Sequence, residues 1–318
     1  MKKALFLLAA VAATGLLAAC GNQGESNDAD GKIQVMATFY PMYEFTKEVV
    51  GDKGDVELLI PAGTEPHDFE PSAKDLAKIS DSDVFVYNNA AFETWTEHLS
   101  DSVDTEKTTM IEASKHIDLM EGQAHDHEEA HDHEAEDHAE EGHDHALDPH
   151  VWLDPVLAAK EVETIRDDLS KKYPEDKEAF EKNAAAYIEK LNSLDEQYRA
   201  TFADAANKTF VTQHAAFGYL ANRYGLTQES ISGVSPDQEP SPSRLSELKH
   251  FVDEHQTKVI YFEENASSKV AETLSKETGV KLEVLNPLES LTEKQIDAGE
   301  TYLSVMEDNL KALEESIN

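Results

Sequence analysis

Two stretches in which strand patterns alternate with helix patterns, separated by about fifty residues of unbroken helical periodicity, leave few folds open to this 318-residue chain. In the first stretch, Ile33 to Phe39 alternates and is β-rich, and Pro41 to Val50 has helical spacing that stops at Gly51. Val56 to Ile60 reads as a second strand, ended by Pro61-Ala62-Gly63. A helix over Ser72 to Ser80 follows, with Ser72 and Asp75 suited to its first turn. Val84 to Tyr87 and a short segment near Thr109 to Ile111 complete the strands of this part. The alternation resumes with a strand at Thr209 to Thr212 and a helix at Ala216 to Tyr224 closed by Gly225. Then come a helix at Ser243 to His255 led by Pro242, a strand at Val259 to Phe262, and a helix at Ser267 to Thr278 stopped by Gly279. A strand at Lys281 to Leu285 and one terminal helix over Lys294 to Glu315 end the chain. Strands alternating with helices imply parallel βα units.

Between them lies an amphipathic helix from Val156 to Lys172, then a longer one starting at Pro174. The second carries Phe180, Ala184, Tyr187, Ile188, Leu191, Leu194, Tyr198 and Phe202 at three- and four-residue steps. About thirty helical residues span roughly 45 Å, enough to cross between two lobes. The expected fold class is therefore α/β, with two βα lobes joined by a long helix. The expected divisions are a first lobe over 32–154, a helical connector over 155–206 and a second lobe over 207–318. Ligand sites are expected at the carboxyl ends of the strands, in the cleft between the lobes.

The first thirty residues follow other rules. Lys2 and Lys3 precede an apolar run from Ala4 to Ala19, too short for a membrane span and ending in small residues, so 1–19 read as a signal peptide. Cys20, the single cysteine, closes Leu17-Ala18-Ala19-Cys20-Gly21, which resembles the bacterial lipobox, whose cysteine is acylated. Residues 20–31 then form a polar, lipid-anchored flexible tether. With Cys20 lipidated no thiol is left, which excludes disulfides and cysteine-based zinc sites. The formal net charge of −38 argues against nucleic acid and against anionic lipid heads, and is compatible with a cation as ligand.

Histidine is where the chemistry concentrates. Between Glu121 and Asp148 the apolar pattern stops, and His125, His127, His131, His133, His138, His143 and His145 lie among Asp and Glu in a low-complexity acidic loop. Pairs such as His125-Asp126-His127 suit weak, unselective metal binding, because ordering the loop costs entropy. His67, His150 and His214 stand apart, each just past a predicted strand or in a turn, two in the first lobe and one in the second. Neutral imidazole suits Zn²⁺ and a carboxylate can complete a tetrahedron; Glu263, Glu264 and Glu289 each follow a strand closely enough to supply it.

The lipobox, Pro66-His67-Asp68-Phe69-Glu70-Pro71-Ser72, Asp148-Pro149-His150-Val151-Trp152-Leu153-Asp154-Pro155, Gln213-His214-Ala215-Ala216-Phe217 and Asn286-Pro287-Leu288-Glu289 occur in that order. Together they resemble the cluster A-I metal-binding lipoproteins of ABC importers, in their AdcA- or ZnuA-like zinc branch. The resemblance runs from Ile33 to the C-terminus and implies two Rossmann-like lobes around a rigid helix, with zinc in the cleft. It carries the metal ligands onto His67, His150 and His214, with Glu289 as the preferred fourth and Glu263 ranked second as a residue that helps hold the cleft together. The manganese branch has a carboxylate in the place of His214, so the third imidazole moves the preference toward zinc. Some AdcA-type proteins carry a second zinc-binding domain after this fold, and the position of Asn318 leads us to expect none here. The function implied is extracellular capture of Zn²⁺ by a monomer held on the cytoplasmic membrane of a Gram-positive bacterium, and its delivery to the permease subunit of an importer. A surface adhesin and a zinc hydrolase are the alternatives. The hydrolase needs an open coordination position, and none of the predicted helices carries a His-Glu-x-x-His pattern.

Overall fold

In a computed structural model, residues 31–122, 147–236 and 240–317 are described. The signal segment, Cys20 and the seven histidines from His125 to His145 lie outside them. Ile33–Asn318 forms one compact unit.

Its first sheet contains β1 (Ile33–Ala37), β2 (Gly54–Leu58), β3 (Val84–Tyr87) and β4 (Thr109–Glu112), all parallel in the order β2-β1-β3-β4. Helices α1 (Tyr40–Val50) and α2 (Ala73–Asp81) make the crossovers around it. The second sheet contains β5 (Thr209–Thr212), β6 (Thr227–Ser230), β7 (Val259–Phe262) and β8 (Lys281–Val284), parallel in the order β6-β5-β7-β8. Between the two sheets run α3 (Pro155–Lys172) and α4 (Lys177–Phe202). The helices of the second lobe are α5 (Gly218–Tyr224), α6 (Pro242–Glu254), α7 (Lys269–Thr278), α8 (Glu293–Ala298) and α9 (Tyr302–Ile317). The two lobes repeat one strand order, as the βα alternation implies. Among the described residues no helix is long and apolar enough to cross a membrane.

Local chemistry explains the boundaries. Ser72 and Asp75 form a reciprocal capping box at the start of α2, and Asp154 accepts from Val156 N at 2.9 Å where Pro155 begins α3. Gly51 ends α1 at φ 59°, and a Cβ there would lie 2.6 Å from Asn183 Nδ2 on α4. Helix and spine approach that closely only because this residue has no side chain. Two differences from the sequence expectations stand out. β6 is absent from them because Thr227-Gln228-Glu229-Ser230 has no apolar alternation; the strand exists through its pairing with β5. The terminal helix is two helices, because a Thr292/Gln295 capping box starts α8 and Gly299 stops it at φ 75°.

The apolar ladder on α4 is buried as its spacing predicts: Phe180, Ala184, Tyr187, Leu191, Leu194, Tyr198 and Phe202 are all inside. They join one continuous core with Val35, Ala37 and Phe45 of the first lobe and Phe210, Tyr261 and Leu313 of the second. A polar clamp reinforces it. Glu44 on α1 accepts from Tyr302 N at the start of α9 at 2.9 Å, from Tyr187 Oη on α4 at 3.2 Å, and from Tyr40 Oη. One carboxylate thus binds a helix from each lobe to the spine.

Glu161 on α3 is one exception to polar satisfaction among the described residues. It is fully buried and neither of its carboxyl oxygens has a hydrogen-bond partner among the described residues. Burial, and then the neighbouring Glu93, hold its carboxyl well above the usual 4.5, so it is neutral in the folded protein. The unfolded chain releases that proton as pH rises through 4.5 while the folded chain keeps it, so Glu161 costs stability increasingly toward alkaline pH. Replacing Glu161→Met should stabilise the protein by about 1–3 kcal/mol at pH 5, where only the unpaired buried carboxyl is removed, and by more at pH 8. Thermal unfolding at the two pH values checks this; an equal gain at both would contradict the neutral assignment.

Candidate metal centre

Because every strand in both sheets is parallel, the loops that follow their carboxyl ends gather at one edge of each sheet. His67 lies in the connection from β2 to α2, and His150 lies between β4 and α3. His214 is two residues past β5, and Glu289 lies between β8 and α8. The structure brings these four together from four separate loops, two per lobe.

Their donor atoms are closely spaced. His150 Nε2 is 3.3 Å from His67 Nε2 and 3.4 Å from His214 Nε2. Glu289 Oε1 is 3.1 Å from His214 Nε2, 3.3 Å from His150 Nε2 and 3.4 Å from His67 Nε2. A tetrahedron with metal–ligand distances of about 2.0–2.1 Å has edges of about 3.3–3.4 Å. Five of the six edges are therefore close to the size zinc coordination requires.

Two further carboxylates fix the rings. Asp148 Oδ1 is 2.7 Å from His150 Nδ1 and also accepts from His150 N at 3.0 Å. Glu263 Oε1 is 2.5 Å from His214 Nδ1. An Nδ1–H held by a carboxylate leaves the Nε2 lone pair facing the other donors. Glu263, one of three carboxylates eligible from sequence, is thus a partner of His214 rather than one of the four clustered groups. Glu264 is exposed and lines a small cleft beside Glu289 with Thr64, Glu65 and Glu263. The role of Asp148 is one that sequence reasoning missed, although the Asp-x-His spacing in Asp148-Pro149-His150 was its signal.

The surroundings are dry and charged. Phe92 meets His67 edge-on at 4.7 Å, and Trp152 lies 5.2 Å from the His150 ring. Burial lowers the His67 pKa, which keeps that ring neutral. Burial presses His214 the same way, but the Glu263 and Glu289 carboxylates outweigh it and raise its value well above 6.5. His150 is raised as well, since its bonds to Asp148 and Glu289 outweigh burial. Glu289 is held well below the carboxylate range: burial opposes this, and His214 and His67 overcome it. Glu65, whose Oε1 accepts from His67 N at 2.9 Å, is pushed up to about 8 by burial and by nearby Glu289.

The second lobe also grips the base of the histidine-rich insertion. Tyr219 Oη donates to Asp148 O and accepts from Met120 N, both at 2.7 Å, while Glu121 and Leu147 form an antiparallel bridge.

Residues 35–316 match the model of the ZnuA family, described as "Zinc-uptake complex component A periplasmic". The chain belongs to the ZnuA family. It is 58% identical over 316 residues to the "Zinc-binding lipoprotein AdcA" of Streptococcus pneumoniae strain R6, covering 99% of this chain and 61% of that protein. It is 52% identical over 305 residues to the "High-affinity zinc uptake system protein ZnuA" of Bacillus subtilis strain 168, covering 95% of this chain and 94% of the relative. The Zn(II)-bound ZnuA-like domain of Streptococcus pneumoniae AdcA superposes with a TM-score of 0.76 at 55% identity, covering 90% of this chain and 99% of that structure. The chain thus spans 61% of the length of its AdcA relative and nearly all of the ZnuA one.

Within this ZnuA-family centre, Gly218 is a sensitive position. A Cβ there would lie 2.7 Å from Asp148 Oδ2, on the carboxylate that orients His150. Gly218→Ala should weaken Zn²⁺ binding by about tenfold or more while leaving the fold intact. Chelator competition alongside circular dichroism checks this; unchanged affinity would show that Asp148 does not need its present position.

Proposed function

We propose that this chain captures Zn²⁺ from outside the cell and delivers it to the permease subunit of an ABC importer, working as a monomer held at the membrane by lipidated Cys20. Zn²⁺ is bound by Nε2 of His67, His150 and His214 and by a carboxylate oxygen of Glu289. The observation that carries this reading is the near-tetrahedral spacing of those four atoms, with Asp148 and Glu263 turning two of the rings toward the common point. Three imidazoles favour zinc over the oxygen-preferring manganese ion. Four protein donors fill the tetrahedron, whereas a catalytic zinc site keeps one position for water, so the reading is of a carrier and not a hydrolase. The acidic surface and the histidines from His125 to His145 gather the cation before the cleft receives it.

Binding should be coupled to protons. The raised value of His214 means that the metal-free protein holds a proton on that ring near neutral pH, and Zn²⁺ must displace it. Affinity therefore rises with pH until His214 is neutral without help. Calorimetry at pH 7 in two buffers of different ionisation enthalpy should show protons released on binding. Buffer-independent heats would contradict this.

The direct test is metal content and competitive Zn²⁺/Mn²⁺ titration of protein beginning at Gly21, with and without residues 123–146. One tight zinc per chain is expected in both forms, with manganese unable to displace it. His67→Ala, His150→Ala and His214→Ala should each weaken binding by more than about 100-fold, beyond what loss of an outer partner causes. Loss of all tight binding with the insertion, or tight binding by any of the three variants, would sink the assignment.

A further inference from the structure

Trp152 joins the two halves of the centre. Its side chain is fully buried, and Nε1–H donates to Pro287 O at 2.8 Å, two residues before Glu289. Its own carbonyl accepts from Tyr302 Oη at 2.5 Å, at the start of α9. The indole lies 5.0 Å from Phe92, which packs on His67, and 5.2 Å from the ring of His150. One side chain therefore touches both the histidine side of the centre and the turn that carries its carboxylate.

That turn does not hold itself. Leu288, buried and immediately before Glu289, sits at φ 58°, in the left-handed region that a bulky L side chain rarely adopts. The conformation is kept by one bond within the turn and by contacts from outside it. Leu288 N donates to Asn286 Oδ1 at 2.7 Å, and Asn286 is bracketed by Asn309 on α9, through N to Oδ1 at 2.9 Å and Nδ2 to O at 2.7 Å. On the other side, the Trp152 indole N–H holds the Pro287 carbonyl. Backbone strain persists only where surrounding contacts over-determine it. Removing one hold should let the turn relax and carry Glu289 off the three imidazoles.

We propose that Trp152 is a positioning residue for metal capture that acts through Glu289: its indole N–H fixes the Pro287 carbonyl and so keeps the strained Leu288 turn aiming the carboxylate into the centre. This rests on the zinc reading above. It gives the Trp152 of the Asp148-to-Pro155 segment a task distinct from core packing.

The test is a double-mutant cycle on the full chain in detergent, reading Zn²⁺ affinity by chelator competition and Zn²⁺ release by stopped flow. The variants are Trp152→Phe, Glu289→Gln and the pair. Trp152→Phe alone should weaken binding about 10- to 100-fold, mainly through faster release. In the Glu289→Gln background it should cost less than about twofold, because the group it positions has already been weakened as a ligand. Equal losses in both backgrounds, or no loss from Trp152→Phe alone, would overturn the proposal. If wild-type protein held no tight zinc, or Glu289→Gln bound like wild type, the zinc reading itself would fail instead. Should Trp152→Phe not fold by circular dichroism, Trp152→benzothienylalanine keeps the indole's shape without its N–H. Wild-type affinity in that variant would overturn the proposal, and a loss of about 10- to 100-fold would support it.

Discussion

Donor atoms spaced 3.1–3.4 Å apart tolerate little relative movement of the loops that carry them, and here those loops belong to two different sheets. Their spacing is preserved only if the lobes behave as one body. The core that runs through α4 supplies that constraint, since the same buried ladder from Phe180 to Phe202 packs with residues of both lobes. Glu44 adds direction to it. Its two oxygens hold the start of α9 against α1 and the spine, and α9 in turn holds Asn286 through Asn309. Arg223 on α5 pairs with Asp154 at the start of α3 at 2.7 Å, tying the segment that carries His150 to the second lobe. The mechanical frame thus ends on the segments that carry the chemical centre.

Electrostatics shape the centre as much as packing does. Two fully buried bases, a third that is nearly so, and one buried acid would be costly if each stood alone, and the structure offsets that cost by placing Asp148, Glu263 and Glu289 against the rings. The result is a gradient across the cluster, in which His67 is pushed toward neutrality by burial while His214 is pulled toward its charged form by two carboxylates. In the zinc-bound state proposed above, a divalent cation would replace the proton on His214 as the positive charge that balances those carboxylates. This makes the metal and the proton competitors for one electrostatic role.

Much of this architecture can be read from the residues. Apolar steps of three and four mark α4, and β-rich segments between helix signals mark seven of the eight strands, because burial writes a period into the sequence. β6 leaves no such trace: it is a polar edge strand defined by its neighbour. Gly299 stops α8 at φ 75° as Gly279 stops α7, but it lies inside a run whose helical spacing continues on both sides. At the centre, residue type and position past a strand single out His67, His150 and His214, and a carboxylate near β8 is legible as well. Which of Glu263 and Glu289 joins the cluster is not set by spacing, since both follow strands. The difference lies in which face of the ring each reaches: Glu263 meets His214 at Nδ1 and Glu289 at Nε2. Nothing local in the sequence marks Trp152 or Asn309, because their hydrogen-bond partners lie 135 and 23 positions away.

The hydroxyl of Tyr219 decides what the fold can tolerate upstream of His150. By accepting from Met120 and donating to the carbonyl of Asp148, it pins both feet of the histidine-rich insertion to the second lobe, and the Glu121–Leu147 bridge closes the span between them. Once the two feet are fixed, the entropy of the intervening chain changes only slowly with its length. His150 is thereby insulated from whatever is spliced in upstream of it. A change in the number of residues between the two feet therefore leaves the geometry at His150 in place.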